Sequence, residues 1–155
     1  MKIEIIERAP VRVAYLRYTG PYGEPLGKFW RATVAPWLAD HGLVDCPRYG
    51  VPLDDSMNTP PEKCRYDACV ELPRGLTLSD AESKTIAGGK YAVTTFKGTG
   101  AEIGAAWGAF VGECISRRTP GIDGSRPPFE HYPRGALLDV KTGVFSCELC
   151  LPVVS

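Results

Sequence analysis

The sequence predicts an α+β fold made of a duplicated strand-strand-helix-strand-strand unit with pseudo-twofold symmetry. Three observations predict it. The segment Val13 to Trp37 (VAYLRYTGPYGEPLGKFWRATVAPW) is matched by Tyr91 to Ile115 (YAVTTFKGTGAEIGAAWGAFVGECI). Arg65 to Pro73 (RYDACVELP) is matched by Val144 to Pro152 (VFSCELCLP), each closed by Leu-Pro. Two segments carry apolar residues at three- and four-residue spacing, the mark of a helix with one buried face.

The elements follow in chain order. Lys2 to Glu7 and Ser83 to Ala87 read as short strands, each ahead of a longer aromatic-containing one. Glycine-containing turns follow at Gly20 and Gly98, then an acidic residue at each helix start, Glu24 and Glu102. The first helix carries Leu26, Phe29, Trp30, Val34, Trp37 and Leu38 on its stripe. Pro36 should kink or shorten it, and Gly42 is its expected stop. The second carries Ile103, Trp107, Phe110, Val111, Cys114 and Ile115. Its Gly104, Gly108 and Gly112 lie along one side, where they permit either close packing on the sheet or a thin wall beside Trp107. Asp54 to Lys63 and Arg117 to Pro128 read as loops, the second the more flexible. We expect one domain over residues 1–155, with halves at about 1–75 and 82–155, one shared antiparallel sheet, two main helices and a central cleft at the seam.

Composition narrows the function. The 155 residues are 44% hydrophobic and 23% charged, with zero net charge. A protein that neutralises many phosphates needs a basic face, and no Lys/Arg cluster exceeds Arg117-Arg118, so nucleic acid is not expected as a direct partner. Acidic residues interrupt the N-terminal apolar run, and no run approaches the ~20 residues needed to cross a bilayer. No membrane partner and a cytoplasmic location are the expectations. The six cysteines are expected to be reduced thiols. Cys147 and Cys150 have CxxC spacing but lie in an alternating strand pattern, and there is no second CxxC, so no metal or cofactor is expected.

Strand alternation assigns faces to the candidate site residues. Ser146, Glu148 and Cys150 share one face of the last strand; Phe145, Cys147, Leu149 and Leu151 share the other. Glu148 is an isolated carboxylate with no Lys or Arg in its strand, so it either meets solvent at a sheet edge or lines a cleft awaiting a cation. In PFEHYPR, Glu130 and Tyr132 share a face, a carboxylate beside a π-face that could meet a cation together or simply be exposed. Phe129 and His131 share the other face. Tyr15 and Tyr49 are further aromatic candidates for the cleft wall, among several tyrosines that could equally be core.

These segments, in this order, resemble the GyrI-like domain. It is an effector-binding module found in some bacterial transcription regulators and as stand-alone proteins, including a DNA gyrase inhibitory protein. The carrying stretches are DDSMNTPPEKCRYDACVELP, IAGGKYAVTTFKGTG, the Trp107 helix, PPFEHYPRG and CELCLPV. The resemblance implies binding of bulky, amphipathic, often cationic small molecules. It implies that Glu148 meets the ligand's charge, that Trp107 borders the cleft, and that Glu130 and Tyr132 form a Glu-x-Tyr pair beside it. Cys150 departs from the pattern, because family members often carry Tyr or Trp there. Two alternatives come with the resemblance. One is hydrolysis of strained cyclopropane-containing DNA-alkylating compounds, with Glu148 handling water and Tyr132 the proton. The other is a protein-interaction module acting on DNA gyrase.

Overall fold

The computed structural model describes residues 1–118, 120–139 and 141–154. Thr119, within the loop expected to be flexible, and the terminal Ser155 lie outside the described residues. Eight strands form one antiparallel sheet: β1 (Glu4–Arg8), β2 (Val11–Thr19), β3 (Arg48–Pro52), β4 (Arg65–Glu71), β5 (Glu82–Ile86), β6 (Gly89–Gly98), β7 (Phe129–Tyr132) and β8 (Phe145–Pro152). Their order is β1-β6-β8-β7-β3-β4-β2-β5. The first helical run comprises α1 (Glu24–Phe29), a π-helical turn (Trp30–Val34) and α2 (Ala35–Asp40); the second is α3 (Ile103–Arg117). Among the described residues, no helix is long and apolar enough to cross a membrane.

The edge strands pair across the chain's halves. β1 joins β2 through Ala9-Pro10 yet pairs with β6, and β5 joins β6 through Ala87-Gly88 yet pairs with β2. The two short links pack against each other. A Cβ on Gly88 would stand 2.8 Å from Pro10 Cδ and 2.9 Å from the Arg8 carbonyl oxygen, so only glycine fits.

Both helical runs cover one face of the sheet. Val34 and Leu38 of the first pack with Ala14, Tyr66, Ala68 and Val70 of the sheet; Phe110 of α3 packs with Ala92, Phe96, Cys147, Leu149 and Leu151. The opposite face carries a third cluster, which includes Val13, Tyr49, Cys69, Ile86, Tyr91, Val93, Phe129 and Cys150, with Ile6 packed against it. That cluster draws on all eight strands, so the sheet curls and buries this face within itself. Cys147 and Cys150 belong to different clusters, as alternation requires.

Pro36 follows a π-helical turn, which widens the backbone where a proline ring would meet the preceding carbonyl; the helix continues to Asp40 and stops before Gly42, whose φ is +67°. One local expectation changes. The glycines of α3 neither press on the sheet nor wall a ligand space. Each is exposed with open space around a would-be Cβ, because their four-residue spacing puts them opposite buried Phe110 and Cys114. The described part of the Arg117 to Pro128 loop is tied down by Arg126. Its guanidinium bonds Asp123 and the carbonyls of Gly88, Lys90 and Val153.

Candidate functional site

β7 places Glu130 on the helix-covered face, between the regions under the two helical runs. The carboxylate is 5% exposed. It accepts three hydrogen bonds and is held by no cation. The Tyr66 hydroxyl donates to Oε1 at 2.7 Å, the Tyr132 hydroxyl to Oε1 at 3.0 Å, and the Trp107 indole N–H to Oε2 at 2.9 Å. None of the ion pairs among the described residues involves Glu130. Burial pushes its carboxyl above the ordinary range, and the three donors pull down without cancelling that. The same burial, with Glu130's charge nearby, drives the Tyr66 and Tyr132 phenols well up.

Aromatic rings close over this carboxylate. Trp30, from the π-helical turn, meets Tyr66 edge-on at 6.2 Å between centroids and Tyr132 at 5.7 Å. Tyr22 meets Tyr66 at 6.0 Å, and the Arg48 guanidinium stands 5.9 Å over the Tyr132 ring. A shallow depression of about 420 Å³ near Glu7, Lys90 and Arg126 and a groove of about 90 Å³ beside Ile3, Ile5 and Cys114 lie elsewhere. Glu130 therefore sits in a closed aromatic shell rather than in an open cleft.

The six residues singled out in the sequence divide between two faces. Trp107, Glu130 and Tyr132 come together on the helix side. Glu148, Tyr15 and Tyr49 lie on the opposite face. Glu148 meets two partners from other strands. His131 Nδ1 lies 2.6 Å from its Oε1, and Arg8 reaches the same oxygen at 3.9 Å. These partners come from β7 and β1, which the sequence of β8 does not reveal. Burial lowers the His131 pKa against the opposing pull of Glu148, and the ring's Nδ1–H donates to the carboxylate. Tyr49 is fully buried, stacks on His131 at 5.0 Å and donates to Glu71; Tyr15 donates to Glu82. Tyr132 and Glu148, the pair considered for hydrolysis, have the sheet between them and cannot act on one substrate atom.

Tyr66 and Trp30 were not singled out as site residues, because each carries only a generic aromatic signal. The one usable signal was Trp30's match to Trp107 in the repeat.

The model of the GyrI-like small molecule binding domain matches residues 1–154. The chain belongs to the GyrI-like family. Among GyrI-like relatives, the SPbeta prophage-derived protein YosT of Bacillus subtilis, named as a candidate transcriptional regulator, is 35% identical over 155 residues, covering 99% of each chain. A DNA gyrase inhibitor of Escherichia fergusonii is 26% identical over 158 residues, again with 99% of each chain covered. The solved structure of SAV2435 bound to tetraphenylphosphonium superposes with a TM-score of 0.69 at 20% identity, covering 100% of this chain and 95% of that one. This GyrI-like chain is thus a small-molecule-binding domain by family.

Proposed function

We propose that this protein binds a bulky aromatic monocation in the shell around Glu130, between the first helical run and α3, and so senses or sequesters amphipathic drugs or toxins. The observation that carries the reading is a buried carboxylate held by three hydrogen-bond donors and no cation. Such a group is costly to bury unpaired and is repaid when a cation arrives. Trp30, Trp107, Tyr66 and Tyr132 supply π-faces for the charge and area for its apolar substituents. The tetraphenylphosphonium complex of the structural neighbour supports this ligand class.

We infer further that the seam is that of a duplicated domain. The orders β1-β6-β8-β7 and β5-β2-β4-β3 correspond strand for strand, with the first strands exchanged between halves. Ligand entry would displace a ring, and Trp30, Trp107, Tyr132 and Tyr22 are each only half-buried over the site, whereas Tyr66 is buried.

Titration of tetraphenylphosphonium and of neutral triphenylphosphine oxide, followed by tryptophan fluorescence, tests the reading. Saturable binding of the cation alone is expected, with the compound recovered unchanged by mass spectrometry. No binding of either, or equal binding of both, refutes it. Inhibition of DNA gyrase is a second reading that rests on the Escherichia fergusonii relative. A supercoiling assay with the purified protein decides it.

A further inference from the structure

The sheet has a notch beside Glu130. Gly50 on β3 is the Cα partner of Glu130 on β7 and of Ala68 on β4. Its φ is not in the left-handed region, so the backbone there does not call for glycine. Glycine within a strand weakens it and marks close approach by another group. The approaching group is Tyr66. A Cβ on Gly50 would overlap the Tyr66 hydroxyl, stand 2.6 Å from Tyr66 Cζ and stand 2.8 Å from Glu130 Oε1. Tyr66 lies two residues from Ala68 on β4, so its ring leans across β3 at Gly50 to reach Glu130. The ring is 2% exposed.

We propose that Gly50 is a positioning residue of the ligand site. Its missing side chain is the passage through which the Tyr66 hydroxyl reaches the Glu130 carboxylate, which fixes the orientation of that carboxylate and keeps it ionisable for a cation. This rests on reading Glu130 as the cation's counter-charge. With a methyl group at position 50, Tyr66 must withdraw, and Oε1 keeps only the Tyr132 donor. Gly50 is then specific to this site rather than a general requirement of strand β3. Its neighbours on that strand, Tyr49 and Val51, are packed into the opposite face.

Gly50→Ala, Tyr66→Ala and the double variant test it. The readouts are tetraphenylphosphonium affinity by fluorescence and the pH titration of the Glu130 carboxyl by carbon NMR in the free protein. Gly50→Ala is expected to weaken binding by at least about tenfold, the equivalent of one hydrogen bond to a charged group, and to move the Glu130 titration upward. Tyr66→Ala should do the same, and adding Gly50→Ala to it should cost less than it does in wild type, because the obstructed ring is gone and only the 2.8 Å approach to Glu130 Oε1 remains. Additive effects, or an unmoved Glu130 titration in folded Gly50→Ala, overturn the proposal. If Gly50→Ala does not fold, the double variant decides: it must fold, with the Glu130 titration displaced in the direction seen in Tyr66→Ala, and failure there overturns the proposal too. If the wild type does not bind tetraphenylphosphonium, the ligand reading falls, and the NMR titration still decides the role of Gly50.

Discussion

Glu130→Gln separates charge from shape at the site. The glutamine keeps the volume and planarity of the carboxylate and loses only its charge and part of its accepting capacity. A cation about 5 Å from the carboxylate, at an effective dielectric constant of about 20, gains roughly 3 kcal/mol. Loss of that interaction weakens tetraphenylphosphonium binding on the order of a hundredfold. Stability should move far less, because two effects oppose. The variant no longer buries a charge. In either amide orientation, however, at least one of the donors from Tyr66, Tyr132 and Trp107 is left without an acceptor, at a cost of about 1–3 kcal/mol. At roughly 2–4 °C per kcal/mol for a chain of this size, the net change in Tm should stay within several degrees. Parallel fluorescence titrations of wild type, Glu130→Gln and Glu148→Gln measure the affinity, and thermal melts measure the rest. Glu148→Gln should bind as wild type does, since it lies across the sheet. If Glu130→Gln binds within twofold of wild type, or Glu148→Gln carries the loss instead, the counter-charge has been assigned to the wrong face.

Three further outcomes follow from the same contacts. Because burial raises the Glu130 carboxyl above its ordinary 4.5, the folded state holds that proton more tightly than the unfolded state; its contribution is full below the ordinary value and declines as pH rises through the folded one, and urea midpoints across this range should show a falling component that Glu130→Gln removes. Asp67, fully buried, is pushed up by burial but held below its ordinary 3.8 by the stronger pull of Arg17 at 2.8 Å and Lys84 at 2.5 Å, so its contribution is present above that value and lost as pH falls. Arg17→Ala should cost about 1–3 kcal/mol, as read by urea unfolding at pH 7, because Arg17 is itself partly exposed and Lys84 remains on the buried Asp67 carboxylate. Arg126→Lys replaces a fork that bridges three carbonyls and Asp123 with a single ammonium, and should cost about 2 kcal/mol in thermal melts while leaving tetraphenylphosphonium affinity unchanged.

Much of the fold was legible because it is periodic. The two aromatic strands, the two helices and the strands that close on Leu-Pro stand where the sequence pattern places them. Alternation also sorted Glu130 with Tyr132 and Glu148 with Cys150 onto their shared faces. Periodicity has two sides but no label for either. Nothing in CELCLP states which side the helices cover, and the family pattern pointed to Glu148. Partners from distant strands were equally hidden: Arg8 lies 140 positions from Glu148, by subtraction of the residue numbers, and reaches it only because β1 leaves its own half to pair with β6. The α3 glycines misled for a related reason, since spacing shows that they share a side and not that the side faces solvent.

The two glutamates show how one residue type takes opposite roles within 18 positions of sequence. Each lies on an inner strand, at least partly screened from water, and each has a neighbour that can hydrogen-bond it. At Glu148 the neighbours are His131 and Arg8, and Arg8 brings a positive charge that already balances the carboxylate. At Glu130 the neighbours are two phenols and an indole, which satisfy its lone pairs and leave its charge intact. Hydrogen bonds alone can hold a carboxylate in place, but they supply dipoles and not a counter-ion, so its field remains for whatever enters the aromatic shell. A site built in this way prefers cations through charge and π-surface and makes few directional demands on them. That is what the proposed binding of varied amphipathic cations calls for.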